Sequence, residues 1–356
     1  MLAILEFALG LAVLVYSAEK LIGLLVGVAS RWAISLFLVA VVFTGIEFDD
    51  LAFGVVLSVE DLRDVALGTV IGTTVALTGV VLALAAIVAP TAVEVPRDYL
   101  GLFAAAPVVL YALALTGTLG TAAAVVLLVL FAGFVGWVAL REYGARRPVW
   151  RHAGLYEQLD HATLGGGRAP GRPGQAPAPR RLDVPPGLRI DRGFLRARRH
   201  SPGGALALAL LALAGVVVGA VVAGEGTEAV LRTSGLSGTV FGVTVATLAL
   251  SLEDVLLTVE PARRGAPEIG VANVVGSVVF SVTGKLAIVL LAGGAVTVTP
   301  DVLRWHLPVL VLMTGLAATF LATGRLRRWH GVVLLGLYAA YFAVSLAAFG
   351  AAPLGG

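Results

Sequence analysis

Apolar positions in this chain gather into long unbroken runs instead of alternating with polar ones. Ten runs stand out, at 2–28, 33–58, 65–89, 99–116 and 121–140, then at 204–231, 239–259, 269–293, 302–323 and 331–349. A helix needs about 20 residues to cross the hydrocarbon core of a bilayer, and many of these runs reach that length. Strands of a transmembrane barrel would read as short segments of alternating polarity, and none dominates here. The opening run, MLAILEFALGLAVLVY, carries Glu6 and lacks a basic leader region. It therefore reads as the first span and not as a cleaved signal peptide.

The pattern occurs twice. A shift of 204 residues lays VALGTVIGT (65–73) over IGVANVVGS (269–277) and FDD (48–50) over LED (252–254) without a gap. In each half, Thr69 or Asn273 follows nineteen residues after the second acid, Asp50 or Asp254, and Thr73 or Ser277 comes four positions later. Gly72 and Gly276 coincide as well. Five spans per half is an odd number, so the halves enter the membrane from opposite sides, the plan of many secondary transporters. The expected fold is an all-α membrane protein with ten transmembrane helices in two inverted five-helix repeats. The first repeat covers 1–140, with an acidic motif at 45–50 and a polar helix at 65–80. The second covers 204–356, with an acidic motif at 249–254 and a polar helix at 269–285.

Composition agrees with this plan. The chain is 58% hydrophobic and 13% charged, with a mean hydropathy of +0.96, whereas soluble domains carry roughly a quarter charged residues. The absence of cysteine excludes disulfides and thiolate metal sites. The five histidines show no metal-ligand spacing, and glycine-rich nucleotide motifs have no suitable context, so neither a cofactor nor a nucleic-acid partner is expected. Residues 141–203 differ in kind, holding 13 of the 23 arginines and 8 of the 16 prolines. Such a segment cannot bury enough apolar surface to order itself, and it reads as a basic Pro/Gly/Arg-rich loop. Its flanks, REYGARR and RGFLRARRH, would lie along anionic lipid headgroups.

Charge also orients the spans. With the 141–203 loop in the cytoplasm, 20 basic residues fall on the cytoplasmic side and only Arg63, Arg232 and Arg304 outside, as the positive-inside rule requires. Both termini would then face outward across a prokaryotic plasma membrane. Monomer and homo-oligomer fit equally well.

Candidate chemistry sits within the spans. On the second, Glu47 and Asp50 share a face with Thr44, and Asp49 points roughly 100° away. On the seventh, Thr244, Thr247, Ser251 and Asp254 form a stripe with Glu253 beside it; on the eighth, Asn273, Ser277, Ser281 and Lys285 recur every four residues; on the third, Thr69 and Thr73 begin a line that ends at Leu77. A buried charge costs roughly 2.5–3.5 kcal/mol even on a lenient insertion scale, so intramembrane acids signal function. Hydroxyl, amide and carboxylate oxygens suit Ca²⁺, and Na⁺ as well. Lys285 fits two roles, neutralising a buried acid or filling space that a cation would take. Acids at span ends, namely Glu60, Asp61 and Asp64, read as headgroup-level residues. A membrane enzyme working through paired acids and Mg²⁺ would need acids one helical turn apart, but Gly54 follows Asp50 and Thr258 follows Asp254.

These motifs resemble the sodium/calcium exchanger family of cation/calcium antiporters, over nearly the whole membrane portion. GIEFDD and ALSLED stand where that family has a helix break, and GTVIGT and ANVVGS where it has its G-N-x-x-G-S helix. The resemblance implies ten helices in two inverted halves and places the ion-binding acids on Asp50 and Asp254. It places the family's asparagine on Thr69 and Asn273, its following serine on Thr73 and Ser277, and further ligand positions on Leu77 and Ser281. The break's Thr-Ser pair becomes Ile46-Glu47 and Leu250-Ser251, and its proline becomes Asp49 and Glu253, which predicts a straighter helix. The expected function is secondary-active antiport of Ca²⁺, or another divalent cation, against Na⁺ by alternating access. Asp50 and Asp254 would be the central ligands, supported by Glu47, Ser251, Asn273 and Ser277. H⁺ is the alternative coupling ion, and a non-transporting homologue is the reading from another class.

Overall fold

In a computed structural model, the chain is described over residues 2–29, 47–93, 95–145, 202–263 and 267–349. Ten helical stretches follow one another within those residues. They are α1 (Leu2–Ala29), α2 (Phe48–Val59), and α3 (Arg63–Ala76), which passes through a π-helical turn, π1 (Leu77–Val81), into α4 (Leu82–Val88). Next come α5 (Arg97–Ala114), α6 (Thr121–Ala145) and α7 (Pro202–Ser234). The seventh stretch is α8 (Gly238–Phe241), π2 (Gly242–Ala246) and α9 (Thr247–Arg263). The eighth is α10 (Pro267–Phe280), π3 (Ser281–Lys285) and α11 (Leu286–Gly293). The last two are π4 (Val302–His306) leading into α12 (Leu307–Ala322), and α13 (Arg328–Phe349).

Among the described residues, seven helices are long and apolar enough to cross a membrane. Most of the expected second span, with Thr44, lies outside the described residues, as does the basic loop between 146 and 201. The helices reach further into the expected loop than the sequence pattern suggests, since α6 continues through Ala145 and α7 begins at Pro202.

The 204-residue register reappears in the backbone. The elements α3, π1 and α4 begin at Arg63, Leu77 and Leu82, and α10, π3 and α11 begin at Pro267, Ser281 and Leu286, each 204 positions later. Threonine hydroxyls accompany both π turns. Thr74 donates to the carbonyl of Val70 at 2.8 Å, Thr78 to that of Val75 at 3.0 Å, and Thr283 to that of Val279. Such back-bonding loosens the local ladder, and single π turns within α-helices are frequent at functional sites.

Two apolar cores organise the bundle. The larger joins the third, fourth, fifth, eighth, ninth and tenth stretches through buried residues such as Ile71, Phe103, Leu127, Leu286, Leu310 and Leu334. The smaller joins α1, α2 and α7, through Phe7, Leu14, Phe53 and Ala220, to Val65, Phe241 and Val289 of the third, seventh and eighth stretches. Helices α1 and α7 lie backbone to backbone. A Cβ on Gly10 would stand 2.3 Å from the Ala223 nitrogen, and one on Gly219 would stand 2.5 Å from the Leu14 nitrogen. Without a hydrophobic force between helices inside lipid, such small-residue contact is what holds a pair together.

Two antiparallel clamps of two residues each cross between the halves. β1 (Thr91–Ala92), before α5, pairs with β4 (Arg325–Leu326), before α13. β2 (Thr118–Leu119), after α5, pairs with β3 (Val296–Thr297), after α11.

Candidate cation site

The first acidic motif lies at a helix start. Glu47 has φ −71° and ψ 84°, outside the helical region, and α2 begins at Phe48. The expectation of a straighter helix here is thus corrected: the chain leaves helical geometry at Glu47 without a proline. Nor are Glu47 and Asp50 one face of a continuous helix, since Glu47 precedes the first turn and Asp49 and Asp50 lie within it. There the unpaired N–H groups and the helix dipole favour negative charge by about 0.3–1 kcal/mol per acid. All three acids are buried.

The partner of Glu47 and Asp50 comes from the other half of the chain. Lys285, the last residue of π3, places Nζ 2.6 Å from Asp50 Oδ2, 3.0 Å from Glu47 Oε2 and 3.1 Å from Thr73 Oγ1. Ser281, the first residue of the same turn, donates to Glu47 Oε2 at 2.9 Å. The ammonium is 1% exposed, so its charge is stabilised by these carboxylates and not by water. Removing one partner of such a pair typically costs about 3–5 kcal/mol. Of the two roles open in the sequence, Lys285 takes the first directly: it neutralises buried acid. Its place on the four-residue stripe with Asn273, Ser277 and Ser281 was the available signal.

The second half is arranged differently. Asn273 Nδ2 donates to Asp254 Oδ1 at 3.4 Å. One turn further along the same helices, Ser251 and Ser277 are both buried. A Cβ on Gly270 would lie 2.6 Å from the Thr258 carbonyl oxygen. With the Asp254–Asn273 contact, this shows numbering rising on one helix as it falls on the other, so Ser251 stands level with Ser277. Ser251 Oγ, Ser277 Oγ, Asn273 Oδ1 and Glu47 Oε1 have no hydrogen-bond partner among the described residues. Buried polar atoms are almost always paired, and the Ser251, Ser277 and Asn273 oxygens beside the Asp254 carboxylate are of the kind that suits a hard cation. Unlike Glu47, Ser251 lies inside a helix that runs on from Thr247 to Arg263, so the two motifs differ in backbone as well as in side chains. Asp254 is half-buried, and the side chain of Glu253 lies outside the described residues.

The remaining expected residues are occupied locally. Thr69 Oγ1 donates to the Ala66 carbonyl at 2.8 Å, and Thr73 Oγ1 to the Thr69 carbonyl at 2.8 Å while accepting from Lys285. Thr244 donates to Val240 at 2.5 Å and Thr247 to Gly242 at 2.7 Å. These hydroxyls shape the helices around the site. The third and seventh stretches touch where Gly72 faces π2, since a Cβ there would lie 2.2 Å from Thr247 Oγ1 and 2.6 Å from Val243 Cα.

At the turn joining α2 to α3, Asp61 adopts φ 62° and pairs with Arg63 at 2.6 Å. Beside it, partial burial and then the carboxylates of Glu225 and Glu228 hold the Glu60 carboxyl above its ordinary value of 4.5. These acids sit at the end of a helix, as their sequence position suggests.

Comparison with known proteins follows the same outline. The sequence pattern of the family described as "Sodium/calcium exchanger protein" matches residues 2–140 and 204–347. Sodium/calcium exchanger MaX1 of Methanosarcina acetivorans is 31% identical over 138 residues, covering 38% of this chain and 39% of that protein. Inner membrane protein YrbG of Escherichia coli is 30% identical over 106 residues, covering 30% and 32%. These alignments span about two fifths or less of each relative's length. A solved structure of the sodium-calcium exchanger NCX_Mj, soaked with Na⁺ and Ca²⁺, superposes over 96% of this chain and 98% of its own, with a TM-score of 0.58 and 21% identity, a likeness of fold. With the family pattern covering both halves and omitting only the basic loop and the ends, the chain is a membrane protein of the sodium/calcium exchanger family, a family of transporters and not of enzymes.

Proposed function

We propose that this protein is a secondary-active cation antiporter that moves Ca²⁺ or another divalent cation against Na⁺ by alternating access. The observation that carries the reading is the Asp254–Asn273 contact with the buried, unpartnered oxygens of Ser251 and Ser277 one turn away. Carboxylate, amide and hydroxyl oxygens from two facing helices form a hard donor set. Asp50, Glu47, Asp49, Thr69, Thr73, Ser281 and Glu253 complete the polar region, with Asp50 as the acid equivalent to Asp254.

Ten spans in two inverted repeats are part of this proposal. The clamps support it, because β1 and β3 follow equivalent helices, as do β2 and β4. A two-fold axis in the membrane plane then exchanges the β1–β4 pair with the β2–β3 pair. Under this arrangement both termini face outward and the 141–203 loop is cytoplasmic. The backbone-to-backbone packing of α1 on α7 supports their moving as one pair beside the rest of the bundle.

The reading is tested with purified protein in proteoliposomes loaded with Ca²⁺, under an imposed Na⁺ or pH gradient. Ca²⁺ release driven by inward Na⁺ is expected. Release driven by pH alone would replace Na⁺ by H⁺ as the coupling ion, and no release under either gradient would overturn antiport of Ca²⁺.

A further inference from the structure

The two repeats are alike in backbone and opposite in charge at one turn. Elements π1 and π3 occupy equivalent positions, yet π1 opens and closes with the apolar Leu77 and Val81 whereas π3 opens and closes with Ser281 and Lys285. Leu77 and Val81 are fully buried, so nothing on π1 offers a charge to the acid of the second half. On π3 both polar residues reach the acids of the first half, Ser281 to Glu47 and Lys285 to Glu47 and Asp50. Asp50 and Asp254 are repeat equivalents, and one faces an ammonium at 2.6 Å while the other faces a neutral amide at 3.4 Å.

We propose that the Lys285 ammonium is a tethered cation that permanently fills the first-repeat half of the site, so that ions from solution bind only at the Asp254–Asn273 half. The proposal rests on the reading of the chain as a cation antiporter and adds which residue sets how many ions it accepts. The contacts are those of a coordinated ion: two carboxylate oxygens and a threonine hydroxyl within 3.1 Å of one positive centre, with a serine hydroxyl supporting one carboxylate. Being covalently attached, this charge cannot leave with the transported ion. It lowers by one the number of positive charges the site takes from solution in each cycle.

The test is cation-dependent thermal stability of the full chain in detergent, with Na⁺ or Ca²⁺ added to a cation-poor buffer of an organic amine. Lys285→Gln uncovers two buried carboxylates and is expected to melt well below the parent in cation-poor buffer. Added Na⁺ or Ca²⁺ should restore it by of the order of 5 °C, as expected for a ligand well above its dissociation constant. The same additions should raise the parent by less. A second variant guards against loss of folding: Glu47→Gln with Lys285→Gln removes the pair together and leaves Asp50 alone. That double variant should bind one more monovalent cation than the parent in a calorimetric titration. A stability loss that no cation recovers, together with a double variant whose ion count equals the parent's, would reduce Lys285 to a structural ion pair. Failure of antiport itself would appear separately, as a parent protein that moves no ion in proteoliposomes while Lys285→Gln is still rescued by cations.

Discussion

Asn273 reaches Asp254 with its amide at 3.4 Å, whereas Thr69, the residue equivalent to Asn273 in the first repeat, turns its hydroxyl back to Ala66. The same register position thus contacts the acid of its own repeat in one half and shapes its own helix in the other. The first repeat recovers its acid's partner from Lys285 instead.

Asp254→Asn keeps the shape of the side chain and its contact with Asn273 but removes the charge. Ion flux in proteoliposomes should fall by at least the roughly 10- to 100-fold that loss of a group merely supporting a ligand costs, with little change in melting temperature. Flux within twofold of the parent would exclude Asp254 from the site.

Asn273→Ala removes a single long hydrogen bond and an orphan carbonyl oxygen. A bond worth about 0.5–1.5 kcal/mol corresponds to roughly 2- to 12-fold weaker apparent cation affinity in a flux assay. Thr69→Ala should weaken affinity less than Asn273→Ala, because the Thr69 hydroxyl is already committed to its own helix.

Gly72→Ala would drive a methyl group to 2.2 Å from Thr247 Oγ1 and 2.6 Å from Val243 Cα. The hydroxyl is held by the Gly242 carbonyl and the Cα belongs to backbone, so the helices must separate. Overpacking of this kind costs about 1–3 kcal/mol and should lower the melting temperature. Gly72→Ala combined with Thr247→Ala should recover part of the loss, and an unchanged melting temperature in the single variant would contradict the close crossing.

The carboxyl of Glu60 gives a pH dependence with a definite sign. Its value in the folded chain is raised above 4.5, so the folded state holds the proton more readily than the unfolded one. Its favourable contribution is complete below pH 4.5 and is lost as pH rises through the folded value. Glu60→Gln, which mimics the protonated form, should melt higher than the parent near neutral pH, and the difference should close as pH falls below 4.5. A difference independent of pH would place its cause elsewhere.

Much of this was legible along the chain because a 204-residue shift preserves the acid pair and the Gly-Thr/Ser step at 72–73 and 276–277, and the third and eighth stretches keep that register down to their π turns. What the sequence hid has physical reasons. The helix start at Phe48 has no proline and lies within a long apolar run, so its first-turn acids Asp49 and Asp50 read as intramembrane charges and not as a helix N-terminus. A π turn needs only one extra residue in the hydrogen-bond ladder, and Leu77–Val81 reads as ordinary apolar helix. The contact between Lys285 and Asp50 spans 235 positions, and helical periodicity relates only near neighbours. The stripe ending in Lys285 was visible, but not which acid it would meet.

The β1–β4 and β2–β3 clamps stand at opposite ends of α5, whose 18 residues measure about 27 Å at 1.5 Å per residue. Each ties one half of the chain to the other, and together they close the third to fifth and eighth to tenth stretches into a frame latched at top and bottom. A motion that parted the halves would have to undo both latches at once. A slide of α1 with α7 undoes neither, because neither helix adjoins a latch in sequence. Under the proposed antiport cycle, the freedom to open a buried site first to one side and then to the other would rest with those two helices, the frame staying shut around the charges it encloses.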